Sequence, residues 1–485
     1  MKKLLLSFML MSATVHANCN WPSVNHDRSN SRYNPCETIL NSSNVNGLVV
    51  VDSITENNGV QVAPIIVNNN VYYGDLGGSF YSRDANNLST INWSVSLGGP
   101  VDAPATVAGS TIYVATGDVR LHALDINTGA ELPGFPVDID PTIIAQGGGD
   151  VLAGPVVVDN IVIIPTVDGA PFGIDVHPER HQTINAFNAT TGAFIWRRII
   201  QPFPWGAQGG SFSTAAVDTN LKYMFIGTSN ADNIPVSPYA DALLALDYTT
   251  GDLIWSFQFT PDDAWGPLYP CDPDYDVGAS PNLFQISLGH GKKLDVVGVS
   301  SKRGIYRVFD RRTGSCLWAT DTIPEGYAPA ATTAPGAAYD SVKNLIYVPA
   351  LIENSGLPLT TLTILQANGN AGASAEIINA FFNVIKYQIT ALDAKTGNKV
   401  WTSSFIGVGS GSVTAANGVV YFDNWKGEIR ALDALTGNVE FFNNTAFTNP
   451  TFLGGPITVT NGKVYVPFGI APGASGGITV FGLSK

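Results

Sequence analysis

An all-β ring of eight four-stranded blades, a β-propeller, is the fold this 485-residue sequence predicts, and three observations predict it. Six segments are versions of one phrase: LHALDINTGAELP (121 to 133), INAFNATTGAFIW (184 to 196), LLALDYTTGDLIW (243 to 255), YRVFDRRTGSCLW (306 to 318), ITALDAKTGNKVW (389 to 401) and IRALDALTGNVEF (429 to 441). Each reads as an alternating apolar strand, a tight turn on Thr-Gly, and a second strand ending on a large side chain, which is a β-hairpin. The copies recur at roughly 40 to 80 residues, with strand-like runs such as IYVATGD and VYFDNWKGE ahead of them, so the repeating unit holds four strands. Composition agrees: 50 Gly, 30 Pro, only 13% charged residues, and no helical heptads.

Taken in chain order, Met1 to Ala17 reads as a secretory leader: Lys2 and Lys3, the apolar LLLSFMLM, and a small-residue exit at Val15-His16-Ala17. It is too short to span a membrane, and no later apolar stretch reaches that length. Residues 18 to 485 then read as one propeller domain, since no low-complexity linker interrupts the repeat. A degenerate first copy, VYYGDLGGSFYSRDANNLSTINW (71 to 93), and a last one, VYVPFGIAPGASGGITVFGL (464 to 483), bring the count to eight blades. The last copy lacks a strand, which GLVVVDSI (47 to 54) can supply, closing the circle and removing two sheet edges. Trp196, Trp255, Trp318 and Trp401 stand four residues after the turn glycine, where a flat ring can wedge between neighbouring sheets; Phe441 and Pro133 replace it in two copies. Structural packing is the reading of these rings.

A net charge of −14 with no basic cluster argues against nucleic acid as a partner. Export makes the four cysteines readable as pairs, and nearness in the repeat order favours Cys19 with Cys36 and Cys271 with Cys316. There is no CxxCH for covalent haem and no zinc-like CxxC pair.

The opening WPSVNHDRSNSRYNP, the ALDxxTGxxxW turns, the stretch GDLIWSFQFTPDDAWGPLYPCDPDYDVGASPNLF (251 to 284) and the ending GGPITVTNGKVYVPFG together resemble the quinoprotein alcohol dehydrogenase family, especially its polyvinyl-alcohol-dehydrogenase-like branch. The tryptophan turns are shared with non-catalytic propellers, so the 251 to 284 stretch is the specific part. The resemblance implies pyrroloquinoline quinone near the propeller axis and a cation bridging it to protein. It also implies a carboxylate that removes the alcohol proton as hydride moves to the quinone. Asp274 in Asp274-Tyr275-Asp276 matches the family's base and contributes to the cation; an acidic loop turn is the alternative. Asp276 lies where lanthanide-using relatives carry an extra carboxylate, or is a plain loop acid; relatives that use calcium can be acidic there, so calcium and a lanthanide both stay open. Asn230, in Gly227-Thr228-Ser229-Asn230, matches a cation-ligating Asn, or else closes a turn after KYMFIG. Lys302 matches the basic residue on the quinone carbonyls, or is a solvated strand end. Phe212 falls where the family places a tryptophan beneath the cofactor, or packs in the core.

The chain departs from the pattern in three places. Ala170 and Pro171 stand where a metal-ligating Glu is expected, leaving Asp168, Asp175 and Glu179 as possible substitutes. The adjacent-cysteine pair above the quinone is absent, and Gln61 occupies the place of an acidic residue in the first blade. Two functional readings follow. One is a periplasmic or secreted dehydrogenase for a small or polymeric alcohol, passing electrons to a separate acceptor such as a cytochrome c. The other is a non-catalytic propeller serving as a protein-interaction scaffold. Residues 356 to 387, inserted before ITALD, are placed to cap the substrate mouth, or are a variable surface excursion.

Overall fold

The computed structural model describes residues 19–167, 181–202, 210–231, 234–264, 275–324, 328–329, 336–353, 385–407, 409, 411–424, 427–444, 455–469 and 475–484. Within them the strands form eight sheets, and the chain is an eight-bladed β-propeller. Blade 1 runs from Ile65–Val67 to Asn87–Ser96, blade 2 from Thr106–Ala108 to Val137–Asp138, and blade 3 from Val156–Val158 to Phe194–Ile199. Blade 4 spans Ala216–Asp218 to Leu253–Gln258, and blade 5 spans Asn282–Gly289 to Cys316–Asp321. Blade 6 runs from Ala338–Asp340 to Lys399–Ile406, and blade 7 from Thr414–Ala416 to Val439–Asn443. Blade 8 comprises Thr458–Thr460, Lys463–Phe468 and Gly476–Leu483, with Leu48–Glu56 as its fourth strand.

That fourth strand comes from the other end of the chain. Leu48 pairs with Leu483 and Glu56 with Gly476, antiparallel, so the last sheet is completed by the segment in which the sequence places a closing strand. The first strands of successive blades approach one another around the axis, and each sheet zigzags outward from there. The core lies between sheets rather than at one centre: Phe225, Leu243 and Ala245 of blade 4, for example, pack with Leu283, Val297 and Phe309 of blade 5. Such clusters repeat round the ring, because a sheet with two apolar faces must be covered on both.

The tryptophan turns hold neighbouring blades together by one repeated device. The turn glycines Gly129, Gly251, Gly314, Gly397 and Gly437 all have φ near +70°. A Cβ on any of them would stand within 2.5 to 2.7 Å of the preceding blade's Trp93, Trp196, Trp255, Trp318 or Trp401. Glycine is required twice over, by the left-handed backbone and by the ring lying on it. The indole N–H groups of Trp93, Trp196, Trp255 and Trp401 donate to the carbonyls of Ile126, Tyr248, Arg311 and Ala434, again one blade on. Where Pro133 replaces the ring, Gly134 and Gly192 approach each other instead, and Phe441 packs edge-on against Phe481.

Residues 21 to 34 line the inside of the ring. Their backbone bonds run in order to the first strands of blades 1, 2, 4, 5, 6 and 7: Trp21 to Ile66, Pro22 to Val107, Arg28 to Val217, Ser29 to Leu283, Ser31 to Tyr339 and Arg32 to Ala415. The polar residues of WPSVNHDRSNSRYNP make this path possible. Asp27 accepts from the N–H groups of Ser29 and Ser31, and Asn30 donates to Thr214 O. The buried Arg32 guanidinium donates to Val413 O and to Asn25 Oδ1, both at 2.7 Å. A Cys19–Cys36 disulfide ties off the segment.

The second expected disulfide is not formed: Cys316 is a free, exposed thiol, and Cys271 lies outside the described residues. Cys316 opens the outermost strand of blade 5 with its side chain exposed, and nearness in repeat order does not place a second cysteine within the roughly 7 Å between Cα atoms that a disulfide needs. The insertion expected to cap the mouth, 356 to 387, and the leader lie almost entirely outside the described residues. Among the described residues no helix is long and apolar enough to cross a membrane.

Candidate functional site

At one end of the ring, the segment leading into each first strand meets the turn between the second and third strands of the blade before it. Val277 N–H donates to Thr228 O, and Lys302 N–H donates to Asp276 O, so blades 4 and 5 are stitched together at this end. The stitching places Asp276 between two predicted site residues. Its Oδ1 accepts from the backbone N–H of Asn230 at 2.7 Å, and its Oδ2 lies 2.5 Å from Lys302 Nζ. The Asp276 side chain is 2% exposed and that of Lys302 11% exposed, so neither is the solvated loop residue the sequence also allowed. A carboxylate so deep in protein is tolerable only with a cation and a directed N–H beside it.

Asn230 is buried, its side-chain Nδ2 donating to Ala231 O at 3.3 Å and its carbonyl accepting from Gln201 Nε2 at 3.3 Å. Phe212 reaches the same end of the ring. Gly210, two residues before it, exchanges backbone and side-chain hydrogen bonds with Ser229, next to Asn230. Ser211 and Ser213 on either side are fully buried while Phe212 is 37% exposed, an apolar ring left partly uncovered among buried neighbours. The structure therefore gathers Asn230 and Lys302 on Asp276, with Phe212 at the same end of the ring. Asp274, Asp168, Ala170, Pro171, Asp175 and Glu179 lie outside the described residues, and Gln61 is half-buried before the first strand of blade 1. Tyr275, between the two acidic positions, has its N–H on Asp263 Oδ2 at 3.1 Å, and burial raises its phenol pKa.

Each oxygen of Asp276 carries one described partner, which leaves further lone pairs, and the side-chain oxygen of Asn230 is a neutral donor beside it. That set, with an ammonium at hand, fits a hard cation bridging to an anionic, oxygen-rich ligand. Among the described residues no three Asp, Glu, His or Cys side chains gather as a metal cluster.

The same end of the ring holds a feature that inspection of the sequence missed. Asp102 Oδ2 and Asp150 Oδ1 lie 3.2 and 3.3 Å from where a Cβ would stand on Gly117, two carboxyl groups facing each other across a residue with no side chain. Burial, then the charge of Asp150, pushes Asp102 up to about 8; burial also raises Asp150. Their equivalent placement, each just ahead of a first strand, is a signal that alignment of the repeats with one another could have exposed.

Against known proteins, the family profile described as glucose/ethanol/alcohol dehydrogenase, beta-propeller domain, matches residues 21–350. The chain belongs to the quinoprotein alcohol dehydrogenase family. Residues 302–481 of this quinoprotein-family propeller also match the profile of outer membrane protein assembly factor BamB. It is 25% identical to the quinohemoprotein alcohol dehydrogenase ADH-IIG of Pseudomonas putida, over 64% of this chain and 46% of that protein. It is 24% identical to the polyvinylalcohol dehydrogenase of a Sphingopyxis species, over 81% of this chain and 62% of that protein. The chain spans about half the length of the first of these curated relatives. Among solved structures, a europium-containing methanol dehydrogenase superimposes with a TM-score of 0.73 at 19% identity, covering 96% of this chain and 98% of that one, a likeness of fold.

Proposed function

We propose that this family member is an exported dehydrogenase that uses pyrroloquinoline quinone with a calcium or lanthanide ion to oxidise an alcohol, and that it passes the electrons to a separate acceptor such as a cytochrome c. The observation that carries the reading is the buried Asp276, held between the N–H of Asn230 and the ammonium of Lys302 at one end of the ring. When bound, the quinone supplies a two-electron acceptor that no side chain provides. Lys302 would donate to its anionic oxygens, Asn230 and Asp276 would hold the cation, and the uncovered ring of Phe212 would stack on a flat ligand. Asp274, two residues before Asp276, is the proposed base, its carboxylate taking the proton of the alcohol hydroxyl. The family relationship and the expected leader support an exported location, and the Cys19–Cys36 bridge suits an oxidising compartment.

A second reading, a non-catalytic scaffold for protein contacts, is favoured by the BamB profile match and by Ala170 and Pro171 at the position of the expected Glu. Reconstitution separates the two. Added quinone and Ca2+ or La3+ should give a shifted quinone absorption band and dye-linked alcohol oxidation. Asp274→Asn should keep the band and lose turnover, because an amide preserves shape and removes basicity. Protein that binds neither quinone nor cation would be the scaffold.

A further inference from the structure

Two glutamines at the seam between blades 3 and 4 are fully buried with polar atoms that have no hydrogen-bond partner: Oε1 of Gln201, and both Oε1 and Nε2 of Gln182. Gln201 Nε2 donates to Asn230 O at 3.3 Å. A carbonyl can only accept, so this bond decides which end of the carboxamide is nitrogen and leaves the oxygen unpaired beside Asn230. Gln182 follows the same seam. It precedes the strand Thr183–Asn188, on the face it shares with Ile184 and Ala186, which pack with Ile226 and Leu244 of blade 4. Blade 4 continues from Ile226 through Gly227 and Thr228 to Ser229 and Asn230. The two glutamines stand on neighbouring chain segments at this end of blade 3, where Ile200 N–H donates to Gln182 O and His181 Nδ1 lies 2.6 Å from Gln201 O.

Buried polar atoms without partners are rare in folded proteins and point to a ligand or water that completes them. We propose that Gln201 supplies a neutral oxygen ligand to the cation of the Asn230–Asp276 site, replacing the carboxylate that Ala170 and Pro171 cannot provide. The inference rests on the quinone-dependent reading. Carboxamide oxygens are ordinary ligands of hard cations, which take six to eight oxygens, but they add no charge. With one described carboxylate already paired to Lys302, a site completed by amides carries less negative charge than one completed by Glu. It therefore favours a divalent ion such as Ca2+ over a trivalent one.

The test is titration of the full chain with Tb3+, read by luminescence, and with Ca2+ in competition, without quinone. Gln201→Ala should weaken both ions about 10- to 100-fold, at least the loss seen when an outer partner of a metal ligand is removed. Gln201→Glu has nearly the same shape and should tighten Tb3+ more than Ca2+, an effect a purely structural glutamine would not produce. Wild type and both variants binding alike would overturn the inference and leave the quinone-dependent reading standing, with a buried water as the glutamines' partner. A wild-type chain that takes up neither ion would remove both.

Discussion

Replacing Asp102 by Asn should stabilise the protein, and only at neutral to alkaline pH. Asp102 faces Asp150 across Gly117, with its own Oδ1 unpartnered and Asp118 adding to the negative field. Burial and these neighbours raise its carboxyl from 3.8 to about 8. The folded protein thus holds a proton that the unfolded chain has already released. Stability from this group is complete below the unfolded value, declines as pH rises, and is gone above the folded value. The upward shift of Asp102 sets a ceiling of about 6 kcal/mol on that loss. Asp150 shares the proton and water reaches part of the site, which brings the expected cost to about 2–3 kcal/mol. An amide keeps the shape, carries no charge and can donate to Asp150. Thermal and urea melts at pH 5 and pH 8.5 read the result: Asp102→Asn should exceed wild type by about 2–3 kcal/mol at the higher pH and approach it at the lower. A variant offset by the same amount at both values, or less stable at pH 8.5, would refute the facing-carboxylate account.

Gly314→Ala forces a Cβ into a φ of +70° and to 2.7 Å from the Trp255 ring, and should cost about 2–4 kcal/mol in equilibrium unfolding. Removing the Cys19–Cys36 bridge by paired Ser substitution opens a link between residues 17 apart, and should cost about 3 kcal/mol measured by denaturant melts. Cys316 should react with maleimide in the native protein, and peptide mapping should find the label on it; protection until unfolding would contradict its exposed position.

Much of the ring was legible in the chain because each blade is local. A hairpin on Thr-Gly, a tryptophan four residues on and a strand ahead of it are decided by turn chemistry and alternation within some 40 residues, and the structure shows each as written. That Asn230, Asp276 and Lys302 lie together was legible for another reason. They sit in short motifs at equivalent ends of adjacent blades, and adjacency in a ring brings such ends together. The Cys271–Cys316 pairing failed because nearness in repeat order does not set the distance between two sulfurs, and Cys316 stands exposed and unbridged on the outer strand of its blade. Asp102 with Asp150, and Gln201 with Asn230, were invisible because a lone acid or amide beside a strand looks like a surface residue until the neighbouring blade is present to bury it.

The sequence by itself determined the all-β class, the eightfold repeat, the closing role of residues 47 to 54 and the family to which the chain belongs, since all of these are carried by local pattern and short motifs. Only the tertiary structure decided which polar groups lose water. The path of residues 21 to 34 along the inner strands, the ion pair of Asp276 with Lys302, the facing carboxyls of Asp102 and Asp150, and the buried amides of Gln182 and Gln201 all arise where two blades meet. The physical reason is that desolvation belongs to the interface rather than to the residue: the same carboxylate or amide costs nothing in water and demands a partner once a second sheet closes over it.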